Sequence, residues 1–243
     1  MMRLDIWMHT NGMTPSRKKA QDLIAGGSVY VNRRQIRKAA HPVTDADQIE
    51  ILGDVMPYVG RGGYKLAHAL QVFSVDVSGK RCADIGASTG GFTDCLLQNG
   101  AAFVYAIDSG SDQLDASLRG DARVRSMEKC NARYCTHEML GERVDIAVCD
   151  VSFISLTKLF GAISDILKPE GLLVALVKPQ FEVGKENLNK NGIVKDQKVA
   201  EKTVRAVLDA ARGYGLYAKG LTSSPILGGD GNAEDLALVF KTE

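Results

Sequence analysis

The sequence predicts an α/β protein: a mainly parallel sheet covered by helices on both faces, preceded by a small basic α+β unit. Three observations carry that prediction. Short apolar runs alternate with helical patterns from residue 61 onward, as a parallel sheet requires. A glycine-rich turn follows the first of those runs. Residues 1–40 hold eight lysines and arginines against two acids, although the net charge of the whole chain is only +1. The expected division is a first domain over 1–52, a linker over 53–60 and a second domain over 61–243.

In the first domain, Thr14 or Ser16 caps a helix that carries Ala20, Leu23 and Ile24 at helical spacing and stops at Gly26-Gly27. Ser28–Val31 alternates as a strand, Asn32-Arg33-Arg34 turns the chain, and Gln48–Leu52 forms a second strand. Lys18 and Lys19 fall early on the helix, and Arg33 and Arg34 in the turn. With Arg3 and Arg17 they give a near-neutral body a basic end, the arrangement of a polyanion-binding module. An ordinary solvated face is the alternative.

The second domain opens with a helix over 65–73, with Leu66, Ala69, Leu70 and Phe73 on one side. Strands follow at 81–85, 103–107 and 144–149, with a vaguer one between the last two. Helices are expected at 90–98, 156–167 and 196–212. The continuous apolar run 172–177 reads as a strand buried on both faces, and 216–221 and 235–240 as closing strands. The stretch 181–195, of mixed charge with Gly184 and Gly192, reads as a mobile flap.

Asp84-Ile-Gly-Ala-Ser-Thr-Gly-Gly-Phe-Thr93 joins the first of these strands to its helix. Glycines let the backbone pass close to a ligand, and the helix start offers unpaired N–H groups. The spacing Gly86-x-x-x-Gly90-Gly91 is neither the dinucleotide pattern nor the phosphate-loop pattern, which needs Gly-Lys-Ser/Thr. Asp84 would repel a pyrophosphate but suits a ligand bearing ammonium or sulfonium charge, and S-adenosylmethionine carries both. Asp108, 22 residues after Gly86, lies just past the next strand, where a carboxylate accepts hydrogen bonds from ribose hydroxyls. Glu128 and Asn131 are further candidates, placed to meet an adenine edge. A nicotinamide-dependent dehydrogenase and a purely structural turn are the alternatives.

Chemistry in such sheets gathers beyond the C-terminal ends of the parallel strands. Asp150 follows the strand 144–149, and Lys178 follows 172–177. An antiparallel last strand would start at the same edge and bring Glu234 there, with Asp235 as the rival for its place. Lys65 stands in Arg61-Gly-Gly-Tyr-Lys65, ahead of the first strand. Any one of these four alone reads as surface charge.

Together they carry a resemblance. Residues 3–52 resemble the RNA-binding fold named after ribosomal small-subunit protein four, in which a helix and the following turn grip RNA phosphates. The Lys, Asp, Lys, Glu order resembles the RNA 2′-O-methyltransferases of the FtsJ type. The whole chain, from the basic domain to Glu234, resembles the TlyA family of ribosomal RNA methyltransferases, often labelled haemolysin A. The resemblance implies a Rossmann-like class I methyltransferase sheet and S-adenosylmethionine as cofactor. It implies a catalytic tetrad of Lys65, Asp150, Lys178 and Glu234, and cofactor contacts around Gly86, Ser88, Gly90 and Asp108. It also implies methylation of a cytidine 2′-hydroxyl in ribosomal RNA; the few residues before Arg3 and the end soon after Glu234 match shorter members and favour the large subunit. For Lys178, a general-base role is favoured over stabilisation of the developing alkoxide.

Other classes fit less well. The four histidines are scattered and the five cysteines include no Cys-x-x-Cys pair, so no metal is expected and the thiols are expected reduced. No apolar stretch approaches the roughly 20 residues that span a bilayer. Asp5 and His9 interrupt any signal-like run. The expectation is a cytoplasmic protein whose partner is ribosomal RNA or a ribosomal subunit, not a membrane, with the oligomeric state left open. A non-catalytic RNA-binding or assembly protein and a secreted cytolysin are the rivals. The intact loop and the four candidates argue against the first, and the lack of a leader or spanning segment against the second.

Overall fold

In the computed structural model, which describes residues 1–14, 16–52, 57–229 and 231–242, the chain divides into two units, Met1–Pro57 and Tyr58–Glu243. Of the linker expected over 53–60, residues 53–56 lie outside the described residues.

The first unit runs β1 (Met2–Arg3), α1 (Leu4–Thr10), α2 (Arg17–Gly26), β2 (Val29–Val31), β3 (Arg34–Gln35), β4 (Pro42–Val43) and β5 (Ile49–Ile51). Ser16, not Thr14, caps α2: its Oγ accepts from the Lys19 amide at 3.1 Å. Gly27 ends the helix in the left-handed conformation, with φ 82°. The helix at 4–10 was not foreseen, yet Leu4 and Met8 sit one turn apart and pack fully buried against Ala20, Ile24 and Val29. The turn is tighter than expected. Asn32 and Arg33 take φ 50° and 66°, which suits a two-residue hairpin, so Arg34 already pairs with Val31.

The second unit runs α3 (Gly62–Phe73), β6 (Arg81–Ile85), α4 (Gly91–Gln98), β7 (Phe103–Ile107), α5 (Ala116–Arg119), β8 (Val124–Met127), α6 (His137–Leu140), β9 (Val144–Cys149), α7 (Phe160–Ile166), β10 (Leu167–Val177), α8 (Gln197–Ala211), β11 (Leu216–Ser223) and β12 (Asp235–Lys241). One sheet holds seven strands in the order β11-β12-β10-β9-β6-β7-β8. From β10 to β8 the pairs are parallel, and β12 runs antiparallel between β10 and β11. Two cores cover its faces, one built on Phe160, Ile163 and Val207, the other on Leu66, Phe92 and Leu96.

The helix expected over 156–167 is broken. Ser155 Oγ accepts from the Thr157 amide and starts a single 3-10 turn, α7 begins only at Phe160, and Leu167 already belongs to β10. A register shift between Leu167 and Leu172 admits Pro169 and Gly171 into that strand. The topology then fixes the site. Val177 lies opposite Asp235, so the residues after β9 and β10 and the residue before β12 all meet at one edge.

Candidate active site

Between β6 and α4 the chain turns over Gly86, whose φ is 84°. A Cβ there would fall 2.5 Å from the Asp150 carbonyl oxygen, so only glycine fits without displacing the backbone after β9. The loop opens onto a cavity of about 470 Å³, lined by Gly86, Ser88, Asp108, Asn131, Asp150 and Ile154 among others, within the size range of small-molecule sites. Asp108 is fixed on its wall. One carboxylate oxygen accepts from the Ser88 amide at 2.8 Å and the other from the Gly110 amide at 2.7 Å.

Three expected cofactor contacts lie elsewhere. Asp84 is fully buried beneath the loop, accepting the Thr93 hydroxyl at 2.7 Å on Oδ2 while Oδ1 has no partner. Burial pushes its carboxyl up to about 7. Because β6 is covered on both faces, Asp84 anchors the start of α4 and does not face a cationic ligand across the cavity. Gly90, at φ 97°, shapes the loop where Leu114 and Leu118 pack against it, and does not line the cavity. Glu128 accepts from the amides of Asp112, Gln113 and Leu114 at 3.0, 2.9 and 3.2 Å. Those amides hold its carboxylate below the ordinary range. It thereby orders the loop that brings Gln113 to the cavity wall.

A smaller cavity of about 200 Å³ adjoins the first and is lined by Gly62, Phe92, Asp150, Ser152 and Lys178 among others. Lys178 Nζ lies 2.6 Å from Asp150 Oδ1 and donates to Ser152 Oγ at 2.9 Å. Lys65 Nζ donates to Glu234 Oε2 at 2.6 Å; both side chains are buried and line neither cavity. The Gln180 amide donates to the other Glu234 oxygen at 3.4 Å. The four candidates therefore form two ion pairs at one sheet edge, one facing the cavities and one buried. Lys65 selects Glu234 over Asp235, whose carboxylate instead accepts from the Ser223 hydroxyl at 3.3 Å. A buried ammonium without such a partner would be strongly destabilising.

Sequence reasoning missed Ser152, Phe153 and Gln180. Phe153 adopts a left-handed φ of 64°, which is strained for an aromatic residue, and its side chain is 89% exposed on the rim of the larger cavity. Its ring lies 5.1 Å from that of Phe181. The only hint was position, since all three directly follow the strand ends that carry Asp150 and Lys178.

In the first unit Lys18, Arg33 and Arg34 are exposed and Lys19 is half-buried. Arg3 and Arg17 are exposed as well, but each is also tied to an acid. Buried Asp5 accepts Arg3 at 2.9 and 3.0 Å, Arg17 at 3.3 Å and Gln21 at 2.7 Å. The bond from Arg3 leads in holding the Asp5 carboxyl well below the usual carboxylate range.

The larger cavity fits S-adenosylmethionine. Asp108 could hold a ribose diol on its fixed carboxylate, Cys130, Asn131 and Ala132 could flank a purine, and Asp150 could face the sulfonium charge. Fold and site thus describe a methyltransferase, and comparison with known proteins agrees. Residues 58–238 match the FtsJ-like methyltransferase family and residues 2–49 the S4 domain. The chain belongs to the FtsJ-like methyltransferase family. It is 44% identical over 237 residues to Hemolysin A of Brachyspira hyodysenteriae, covering 97% of this chain and 98% of that protein. It is 42% identical to the 16S/23S rRNA (cytidine-2′-O)-methyltransferase TlyA of Mycobacterium tuberculosis, over 96% of this chain and 87% of that one. The solved structure of a protein described as a hemolysin from Streptococcus thermophilus superimposes with a TM-score of 0.80 at 43% identity, covering 99% of this chain and 88% of that one.

Proposed function

We propose that the protein methylates a ribose 2′-hydroxyl of ribosomal RNA, on a cytidine, with S-adenosylmethionine as donor. The observation that carries this reading is the Asp150–Lys178 ion pair on the wall shared with the glycine loop, 2.6 Å across. The M. tuberculosis relative, whose name specifies that reaction, supplies the substrate class.

Bound in the larger cavity, S-adenosylmethionine supplies an electrophilic methyl group. Gly86 and Ser88 would carry the backbone past it, and Asp108 would hold its ribose. What remains for the protein is to place the 2′-oxygen in line and remove its proton. Lys178 sits at that position, with Asp150 orienting its amine. Lys65 and Glu234 neutralise each other beneath the edge and hold α3 to the start of β12. Phe153, backed by Phe181, offers a stacking face to a target base turned out of its helix. Lys18, Lys19, Arg33 and Arg34 grip RNA phosphates, and the 2′-hydroxyl itself distinguishes RNA from DNA.

The test is transfer of a labelled methyl group to free ribosomal RNA and to each ribosomal subunit, followed by mapping of the modified ribose. Methylation of a cytidine 2′-oxygen in either subunit is expected; no incorporation into any of these substrates would overturn the reading. Lys178→Ala should abolish transfer with cofactor binding retained. Near-normal turnover in Lys178→Arg would sink the general-base role, because a guanidinium stabilises an oxyanion but accepts no proton at neutral pH.

The name Hemolysin A of the Brachyspira relative raises a second reading, lysis of erythrocytes. No helix among the described residues is long and apolar enough to cross a membrane. Purified protein that lyses erythrocytes but transfers no methyl group would favour that reading.

A further inference from the structure

We infer that Ser152 is a further catalytic residue, which hydrogen-bonds the ribose 2′-oxygen and relays its proton to Lys178. The inference rests on the methyl-transfer function proposed above. Its first support is placement. Ser152 lines both cavities, as do Gly86, Ser88 and Asp150, so its hydroxyl stands where the donor cavity meets the smaller pocket. Its second is access. Lys178 also lines the smaller pocket but is only 8% exposed, whereas Ser152 is exposed. The serine hydroxyl is the more accessible of the two groups to a nucleotide entering that pocket.

The third support is hydrogen-bond capacity. Ser152 Oγ accepts from Lys178 Nζ at 2.9 Å, and among the described residues its own O–H donates to no protein group. In the relay this contact is reversed: a neutral Lys178 accepts the Ser152 hydroxyl, and a lone pair of Ser152 Oγ is left to accept the 2′-hydroxyl proton. The fourth is backbone strain in the next residue. Phe153 holds a left-handed φ of 64°, a conformation that persists in non-glycine residues where the surroundings enforce it, commonly at functional sites. It allows consecutive residues to face the site, with Ser152 toward the two cavities and Phe153 at the rim of one.

The step balances as follows. Lys178 must be neutral when reaction begins. The 2′-hydroxyl proton then passes to Ser152 Oγ while the Ser152 hydroxyl proton passes to Lys178 Nζ. The 2′-oxygen's electron pair forms the new O–C bond as the methyl carbon leaves its sulfur, which retains the electron pair of the broken bond. Ser152 ends unchanged, and Lys178 ends as an ammonium ion beside Asp150, donating across the same 2.9 Å contact that served as the proton path.

The experiment compares wild type, Ser152→Ala and Ser152→Thr in single-turnover methyl transfer to ribosomal subunits. It adds calorimetric binding of S-adenosylhomocysteine and rates in mixed light and heavy water. Ser152→Ala should slow transfer by about 100-fold, the scale of a lost acid–base group, with S-adenosylhomocysteine affinity unchanged. Ser152→Thr, which keeps the hydroxyl, should restore most of the rate. The wild-type rate should fall along a curve with deuterium fraction, because two protons move together, and the residual rate of the alanine variant along a straight line. A Ser152→Ala rate within about 2-fold of wild type would overturn the relay, since no acid–base group would then have been lost. So would loss of S-adenosylhomocysteine binding in that variant, which would mark the serine as structural. Absence of transfer by the wild type itself would overturn the underlying function, and the relay with it.

Discussion

Asp84 is a buried acid with no cation beside it. Burial raises its carboxyl to about 7, whereas in the unfolded chain it titrates near 3.9. Between those values the folded protein keeps a proton that the unfolded chain has released. The sign follows: stability is greatest below about pH 4 as far as this group is concerned, falls as pH rises through the window, and is lowest above about pH 7. Asp84→Asn removes the titration while leaving an acceptor for Thr93. Its melting temperature should therefore exceed that of wild type by more at pH 8 than at pH 5; equal differences at the two pH values would contradict the assignment. The same residue shows where sequence reading stops. Its place before Gly86 was legible, and so was its closeness to the donor loop. That it lies beneath the loop depends on β6 being central in the sheet and covered on both faces, which no local pattern reveals. Asp108 was legible for the opposite reason, since a residue just past the end of β7 has only the cavity edge to occupy.

Two elements behave differently from their sequence pattern, each because of a tertiary partner. Mixed charge and two glycines made 181–195 read as a flap. In the fold it carries a bridge between Leu188 and Val194, and buried Asn232 pins it, accepting the Val194 amide at 3.2 Å and donating to the Gly192 carbonyl at 3.1 Å. Asn232→Ala should release that tie, and limited trypsin digestion at exposed Lys190 and Lys195 should quicken severalfold; unchanged cleavage would mean that the hairpin holds without it. In the first unit, α2, the β2–β3 turn and the start of β3 present Lys18, Arg33 and Arg34. Replacing these three with alanine should weaken RNA binding and reduce its salt dependence by about one slope unit per lost phosphate contact. Calorimetry should show S-adenosylmethionine affinity unchanged. Arg3 and Arg17 were read from charge alone as part of the same patch. Asp5, distant in sequence from Arg17 but beside it in the fold, claims both, so alanine at either position should lower the melting temperature as well. The broken helix at 156–167 has a similar cause, because the Glu182 carboxylate, across the fold, accepts the Ser155 hydroxyl and the Leu156 amide at 2.6 and 2.7 Å.

At the scale of the molecule, the second unit contains both cavities and both ion pairs. A fragment spanning residues 58–243 should bind S-adenosylmethionine in calorimetry, and Gly86→Val should abolish binding by forcing a side chain against the Asp150 carbonyl, 2.5 Å from where its Cβ would lie. Retained binding in the valine variant would show that the loop is not the donor site. The sheet order has one more consequence, which concerns time. Because β12 lies between β10 and β11, β11 is synthesised before β12, the strand with which it pairs. Lys65 likewise waits for an anion 169 positions further along the chain. A ribosome making this protein thus exposes the donor loop first and Lys178 later, and only after both come the strand that completes the sheet and the carboxylate that allows Lys65 to be buried. A nascent chain halted before Glu234 would hold a donor cavity beside an unfinished catalytic edge, so methyl transfer should await the synthesis of β12.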